Sequence, residues 1–134
     1  MKEELIQSWI ELTAIIKNNR VTKSISYNEA IVLNYAYHAF LKGEGLYTQE
    51  ILKKTKMLKS LCNRTINHLI EKDYIRRETD KNQVILYFNP QKTEDYLQIH
   101  RETFDTLKPI FEVLDEKDQM DFIRISHKIS RRVS

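Results

Sequence analysis

Apolar residues recur at the helical period over residues 2–20, where Leu5, Trp9, Leu12 and Ile16 form one stripe that Ile6, Ile10 and Ile15 widen. This predicts an amphipathic helix with a broad apolar face. Ser26 followed by Glu29 is a capping box, in which hydroxyl and carboxylate each satisfy an orphan backbone N–H, and AIVLNYAYHAF after it is apolar nearly all round. A buried second helix is expected, ending in the loop Lys42-Gly43-Glu44-Gly45 that holds both glycines of the chain. Thr48 is positioned to cap a short third helix through Thr55, and Ser60 to open a fourth running to about Asp73 with Cys62, Ile66 and Leu69 inward.

The period then changes from helical to alternating. Ile75 to Arg77, a polar tip Thr79-Asp80-Lys81-Asn82 and Gln83 to Phe88 read as one small antiparallel hairpin. Asn89-Pro90, a cap followed by proline at the first helical position, opens a long helix with Tyr96, Leu97, His100, Phe104, Leu107, Phe111 and Leu114 at helical spacing. Asp115 and Asp118 start a last helix, with Phe122, Ile125 and Ile129 along one side. The order is that of a winged helix-turn-helix between terminal helices: a mainly α fold with a small hairpin wing.

Composition narrows the reading. With 134 residues, 41% of them hydrophobic, the chain is expected to form one domain of ordinary size. Two Gly and two Pro argue against Gly-rich sandwiches and phosphate loops, and one Cys excludes an intramolecular disulfide. The longest apolar run, Val84 to Phe88, is far short of the ~20 residues a membrane helix needs, and charges interrupt the first stretch where a signal peptide would be apolar. A cytoplasmic protein without membrane contact is expected. The net charge of +3 says little about partners, but residues 51–81 hold nine Lys or Arg against four acidic residues. Such a local excess suits a surface that faces phosphates; a solvated helical face is the alternative.

On a fourth helix with Cys62, Ile66 and Leu69 inward, Lys59, Ser60, Asn63, Arg64, Asn67 and His68 form the opposite, donor-rich face. Arg suits the N7 and O6 acceptors of guanine and Asn the N6/N7 pair of adenine. Thr48, Gln49, Lys53 and Lys54 then lie near the neighbouring backbone, and Arg77, Lys81 and Asn82 put the hairpin near a minor groove or its phosphates. The expected partner is double-stranded DNA.

At this point the chain resembles the MarR family of bacterial transcriptional regulators. Ile25-Ser26-Tyr27-Asn28-Glu29 is similar to the family's Leu-Thr-Pro-Ser-Glu helix opening, Glu50-Ile51 to its Glu-Leu, and Lys59-Ser60 with Arg64 to the Lys-Ser and Arg of its recognition helix. LIEKDYIRR, Leu69 through Arg77, resembles the stretch entering the wing, and Phe88-Asn89-Pro90 the Leu-Thr-Pro after it. The likeness spans residues 20–115. It departs at the wing, where Lys81-Asn82 stands near the usual Asp-x-Arg tip, and at Leu58, which replaces a polar residue. The resemblance implies a homodimeric regulator on a pseudo-palindromic operator, with residues 25–90 as DNA-binding core and residues 1–20 and 91–133 as dimerisation helices.

Leu5, Trp9, Leu12, Leu107, Phe111, Leu114, Phe122, Ile125 and Ile129 are the expected seam, since a compact core of residues 25–90 could not cover them. The family often holds small aromatic effectors where the dimerisation helices meet the winged core. Trp9, Tyr35, Tyr37, His38 and Phe104 would line such a space, with plain core packing as the alternative. Enzymatic signals are absent: His38, His68, His100 and His127 show no i, i+4 pairing, no cofactor or metal set is evident, and no phosphate loop or nucleophile elbow occurs. Two other classes stay open. One is a winged-helix protein-interaction module that does not bind DNA; the other is a thiol- or metal-responsive switch resting on Cys62 or the histidines.

Overall fold

Ser26 and Glu29 do form the predicted capping box: the Glu29 N–H donates to Ser26 Oγ over 3.1 Å and the Ser26 N–H to Glu29 Oε2 over 2.8 Å. A computed structural model of the chain describes residues 1–18 and 24–133. Among them run α1 (Lys2–Asn18), α2 (Tyr27–Leu41), β1 (Leu46–Tyr47), α3 (Thr48–Thr55), α4 (Lys59–Glu71), β2 (Ile75–Asp80), β3 (Gln83–Phe88), a 3-10 turn (Pro90–Lys92), α5 (Thr93–Phe111) and α6 (Glu116–Val133). The expected end of the first helix at residue 20 lies outside the described residues.

The core gathers the inward positions of consecutive elements. Val32, Leu33 and Ala36 of α2, Ile51 of α3, Cys62, Ile66 and Leu69 of α4, and Leu86 and Phe88 of β3 are buried together. An aromatic cluster extends this core to α5: Tyr37 stacks on Tyr96 with ring centroids 4.2 Å apart, and Phe88 meets both edge-on. The Tyr96 hydroxyl, reaching 3.1 Å to Asn34 Oδ1, fixes the start of α5 on α2.

Several boundaries differ from the sequence reading, each for a local reason. The sheet has three strands in the order β1-β3-β2, all antiparallel, because Leu46 and Tyr47 pair with Leu86 and Ile85. This pairing carries Tyr47 straight into the helix, so Tyr47 occupies the cap position of α3 with no side-chain bond and Thr48 is the first helical residue. Gly45 admits the close approach: a Cβ there would collide with Ile85 and Tyr87. Lys56 adopts a left-handed conformation, φ 58°, which ends α3 and leaves only Met57 and Leu58 before α4. Leu58, not Ser60, is therefore the cap residue of α4, again without a side-chain bond, and α4 ends at Glu71, short of Asp73. Strand β2 extends to Asp80, so the turn shrinks to Lys81-Asn82, both at positive φ (51° and 66°) as the twist of a two-residue hairpin requires. Asn89 caps the 3-10 turn, and α5 stops at Phe111, two residues past Pro109, leaving Leu114 in the connection to α6.

Asp115 Oδ1 accepts the Asp118 N–H over 2.8 Å, and Gln119 Nε2 donates to the carbonyls of Phe111 and Leu114, closing the α5–α6 corner. Phe122 packs against Phe111 there. Beyond it, Phe122, Ile123, Ile125 and Ile129 are exposed, and α1 has no buried residue at all, with Leu5 65% and Trp9 61% exposed.

Candidate nucleic-acid interface

Burial of Cys62, Thr65, Ile66 and Leu69 turns the other side of α4 to solvent, leaving Lys59, Ser60, Asn63, Arg64, Asn67 and His68 exposed. Alongside this face runs a groove of about 550 Å³, bounded by the first turn of α3, by α4 and by the hairpin. Seven of the twelve residues expected to contact DNA line it: Thr48, Gln49, Lys59, Asn63, Asn67, Arg77 and Asn82. Ser60 and Arg64 lie outside the groove on the same exposed face, Lys53 is exposed on α3, and Lys81 is exposed at the hairpin tip. Gln83, which the sequence reading passed over, joins the lining through its place next to the two-residue turn.

Side-chain contacts tie the hairpin and α4 into this surface. Alternation along β2 puts Ile75 and Arg77 on the face toward α4, and Arg77 Nη2 donates to Asn67 Oδ1 over 2.6 Å. On the other face Arg76 lies over the Tyr87 ring, 4.5 Å from its centroid, and pairs with Glu78. At the far end of α4, Lys72 Nζ stands 3.0 Å and His68 Nδ1 3.6 Å from the buried Glu29 carboxylate. Burial raises the pKa of Glu29, but the Ser26 N–H bond and the Lys72 ammonium outweigh it, with His68 adding to them, so the carboxyl sits below its ordinary range. His68 is thus turned toward α2 at the edge of the polar face. Cys62 is buried, which pushes its thiol pKa up and disfavours the reactive thiolate.

No protein-family model and no curated protein sequence matches the chain. Solved structures match over nearly its whole length. A MarR-family transcriptional regulator from Rhodococcus sp. RHA1 superposes with a TM-score of 0.82 at 12% identity, covering 96% of this chain and 94% of that one. The chain has the MarR fold. A MarR transcriptional regulator from Methanosarcina mazei Go1 is similar at TM-score 0.78 and 13% identity, over 96% of this chain and 89% of its own. NadR, in a structure with 4-hydroxyphenylacetate, is similar at TM-score 0.68 and 16% identity, over 95% and 89%.

Within the MarR fold of this chain, the residues expected around an effector meet different neighbours. Tyr35 sits beneath the Lys54 ammonium, 5.3 Å from ring centroid to nitrogen, and His38 Nδ1 bonds to the Asn34 carbonyl at 2.8 Å. Phe104 lines an apolar hollow of about 410 Å³ at the α5–α6 corner with Phe111 and Phe122, while Trp9 lies exposed on α1. A crevice of about 280 Å³ between α2 and α5 is lined instead by Leu33, Asn34, Tyr96, Ile99, His100 and Thr103 among others. Among the described residues no group of three or more His, Cys, Asp or Glu is arranged to hold a metal ion, and no helix is long and apolar enough to cross a membrane.

Proposed function

We propose that the protein is a sequence-specific DNA-binding transcriptional regulator, acting as a homodimer on a pseudo-palindromic operator. The observation that carries this reading is the exposed face of α4, where Ser60, Asn63, Arg64 and Asn67 stand side by side above a buried apolar base and beside a groove walled by the hairpin. A rigid helix presenting Arg and Asn donors matches what major-groove readout needs, and the first turn of α3 and the Lys81-Asn82 tip flank it as phosphate contacts. Residues 25–90 serve as the DNA-binding core. The uncovered apolar faces of α1 and α6 give the dimer reading its basis: such surface is buried when two copies interleave their terminal helices, in an interface of about 2,000 Å² or more.

A small aromatic effector is the second part of the proposal. The α2–α5 crevice combines apolar walls with Asn34, His100 and Thr103, and the similarly folded NadR was solved with 4-hydroxyphenylacetate. An effector of this kind acts by its differential affinity for dimer forms with different recognition-helix spacing. Selection from random DNA tests the central reading. An enriched inverted repeat, with half-sites about 10 base pairs apart or a multiple of that, supports it; no enriched sequence contradicts it.

A further inference from the structure

Asn67 has an amide with one acceptor and one donor end, and bidentate reading of adenine uses both: Oδ1 accepts from N6 and Nδ2 donates to N7. A guanidinium offers only donors, so the amide end facing Arg77 must be the oxygen. The 2.6 Å bond from Arg77 Nη2 therefore takes one of the two lone pairs of Oδ1, holds that oxygen toward the hairpin and leaves the amino group of Asn67 as the end away from Arg77, on a residue that is exposed and lines the groove.

The bond is built into the fold. Arg77 follows Ile75 on the face of β2 that meets α4, Ile75 is buried in the core, and Arg77 is paired in register with the buried Leu86. The backbone that carries the guanidinium is thus anchored on both sides of the position. A charge-assisted bond is stronger than a neutral one, so turning the amide over to meet adenine gives up an interaction comparable to the one gained.

We infer that Arg77 is a specificity-determining residue acting through Asn67: it holds Oδ1 toward the hairpin so that Asn67 reads with its amino end, which favours guanine or thymine, whose hydrogen-bonding groups in the major groove are acceptors only, over adenine, whose N6 amino group beside N7 would face a donor. This rests on the DNA-binding reading above and concerns one position of the operator. Arg77 is a positioning residue in this respect, and its remaining N–H donors stay available to a phosphate.

Selection from random duplexes with the full-length wild type, Asn67→Ala and Arg77→Met tests it. In the wild type one position per half-site should favour guanine or thymine over adenine about tenfold, the discrimination of a single good base contact. Asn67→Ala, on an exposed helix surface, should flatten that position and spare the others. Arg77→Met should move the same position toward adenine, a change of preferred base that mere loosening of the wing would not produce. Adenine at the Asn67-dependent position in the wild type overturns the inference, as does an unchanged preference in both variants. A wild-type motif with either result leaves the DNA-binding reading standing, whereas no motif from the wild type overturns both.

Discussion

The carboxylate of Glu29, in the first turn of α2, lies 3.0 Å from the ammonium of Lys72, the C-terminal cap residue of α4. One buried acid thus caps the helix that forms the floor of the core and holds the C-terminal end of the helix that carries the exposed polar face. His68 approaches the same carboxylate from the last turn of α4.

Acid stability should follow from this arrangement. The folded-state pKa of Glu29 is below its ordinary value, so its contribution is fully present above the unfolded-state pKa of about 4.3 and is lost as pH falls through the lower folded value. Glu29→Gln should lower stability near neutral pH by on the order of 1–3 kcal/mol and reduce the loss on acidification. Urea denaturation at a series of pH values from neutral to below 4 would check both; an unchanged pH profile would rule out Glu29 as the responsible group.

Stability and DNA affinity should separate at the hairpin tip. Lys81 has φ 51°, a conformation glycine adopts without steric cost, and its side chain is exposed. Lys81→Gly should therefore stabilise the fold slightly, by up to about 1 kcal/mol, while removing a charge from the surface proposed to meet phosphates. Thermal melting should rise as duplex affinity falls, and the slope of log affinity against log salt should drop by about 0.9 for each subunit of the bound dimer, about 1.8 in all.

Charge in the proposed seam should undo the dimer. Ile125 is exposed on α6 in the isolated chain, on the side that also carries Phe122 and Ile129. Ile125→Glu should shift sedimentation from dimer to monomer and weaken DNA binding with it, because burial of an unpaired charge is costly. A well-folded wild-type monomer at micromolar concentration would contradict the dimer.

Cys62 should behave as a packed apolar residue. Its burial raises the thiol pKa, so an aromatic disulfide reagent at neutral pH should react only as fast as the protein opens. Rapid modification of the native protein, accompanied by loss of DNA binding, would support the thiol-switch reading.

Much of this organisation was legible in the sequence because its signals are local. The Ser26–Glu29 box, the inward set Cys62, Ile66 and Leu69 and the presence of a hairpin around Lys81-Asn82, though with a tip two residues shorter than expected, depend on residues a few positions apart. What escaped depends on long-range pairing. Two residues, Leu46 and Tyr47, carry no strand period of their own and become a strand only against β3, which displaces the expected cap at Thr48. His68 is exposed on the outward face, as its periodicity suggests, but its ring also lies 3.6 Å from the carboxylate of Glu29, 39 positions away, which periodicity does not show. Tyr35 and His38 sit on one helix turn but meet different neighbours, Lys54 and the Asn34 carbonyl, so the crevice between α2 and α5 is formed by Asn34, Tyr96 and His100 instead.

The most direct measurement is the affinity of wild type and Arg64→Ala for the duplex enriched by selection and for a scrambled duplex of the same length, by fluorescence anisotropy. Arg64 is exposed at the middle of the α4 face. The account predicts that the wild type prefers the enriched duplex and that Arg64→Ala weakens that complex by about 1–3 kcal/mol per half-site, narrowing the gap to the scrambled one. Equal affinity of both proteins for both duplexes would contradict it.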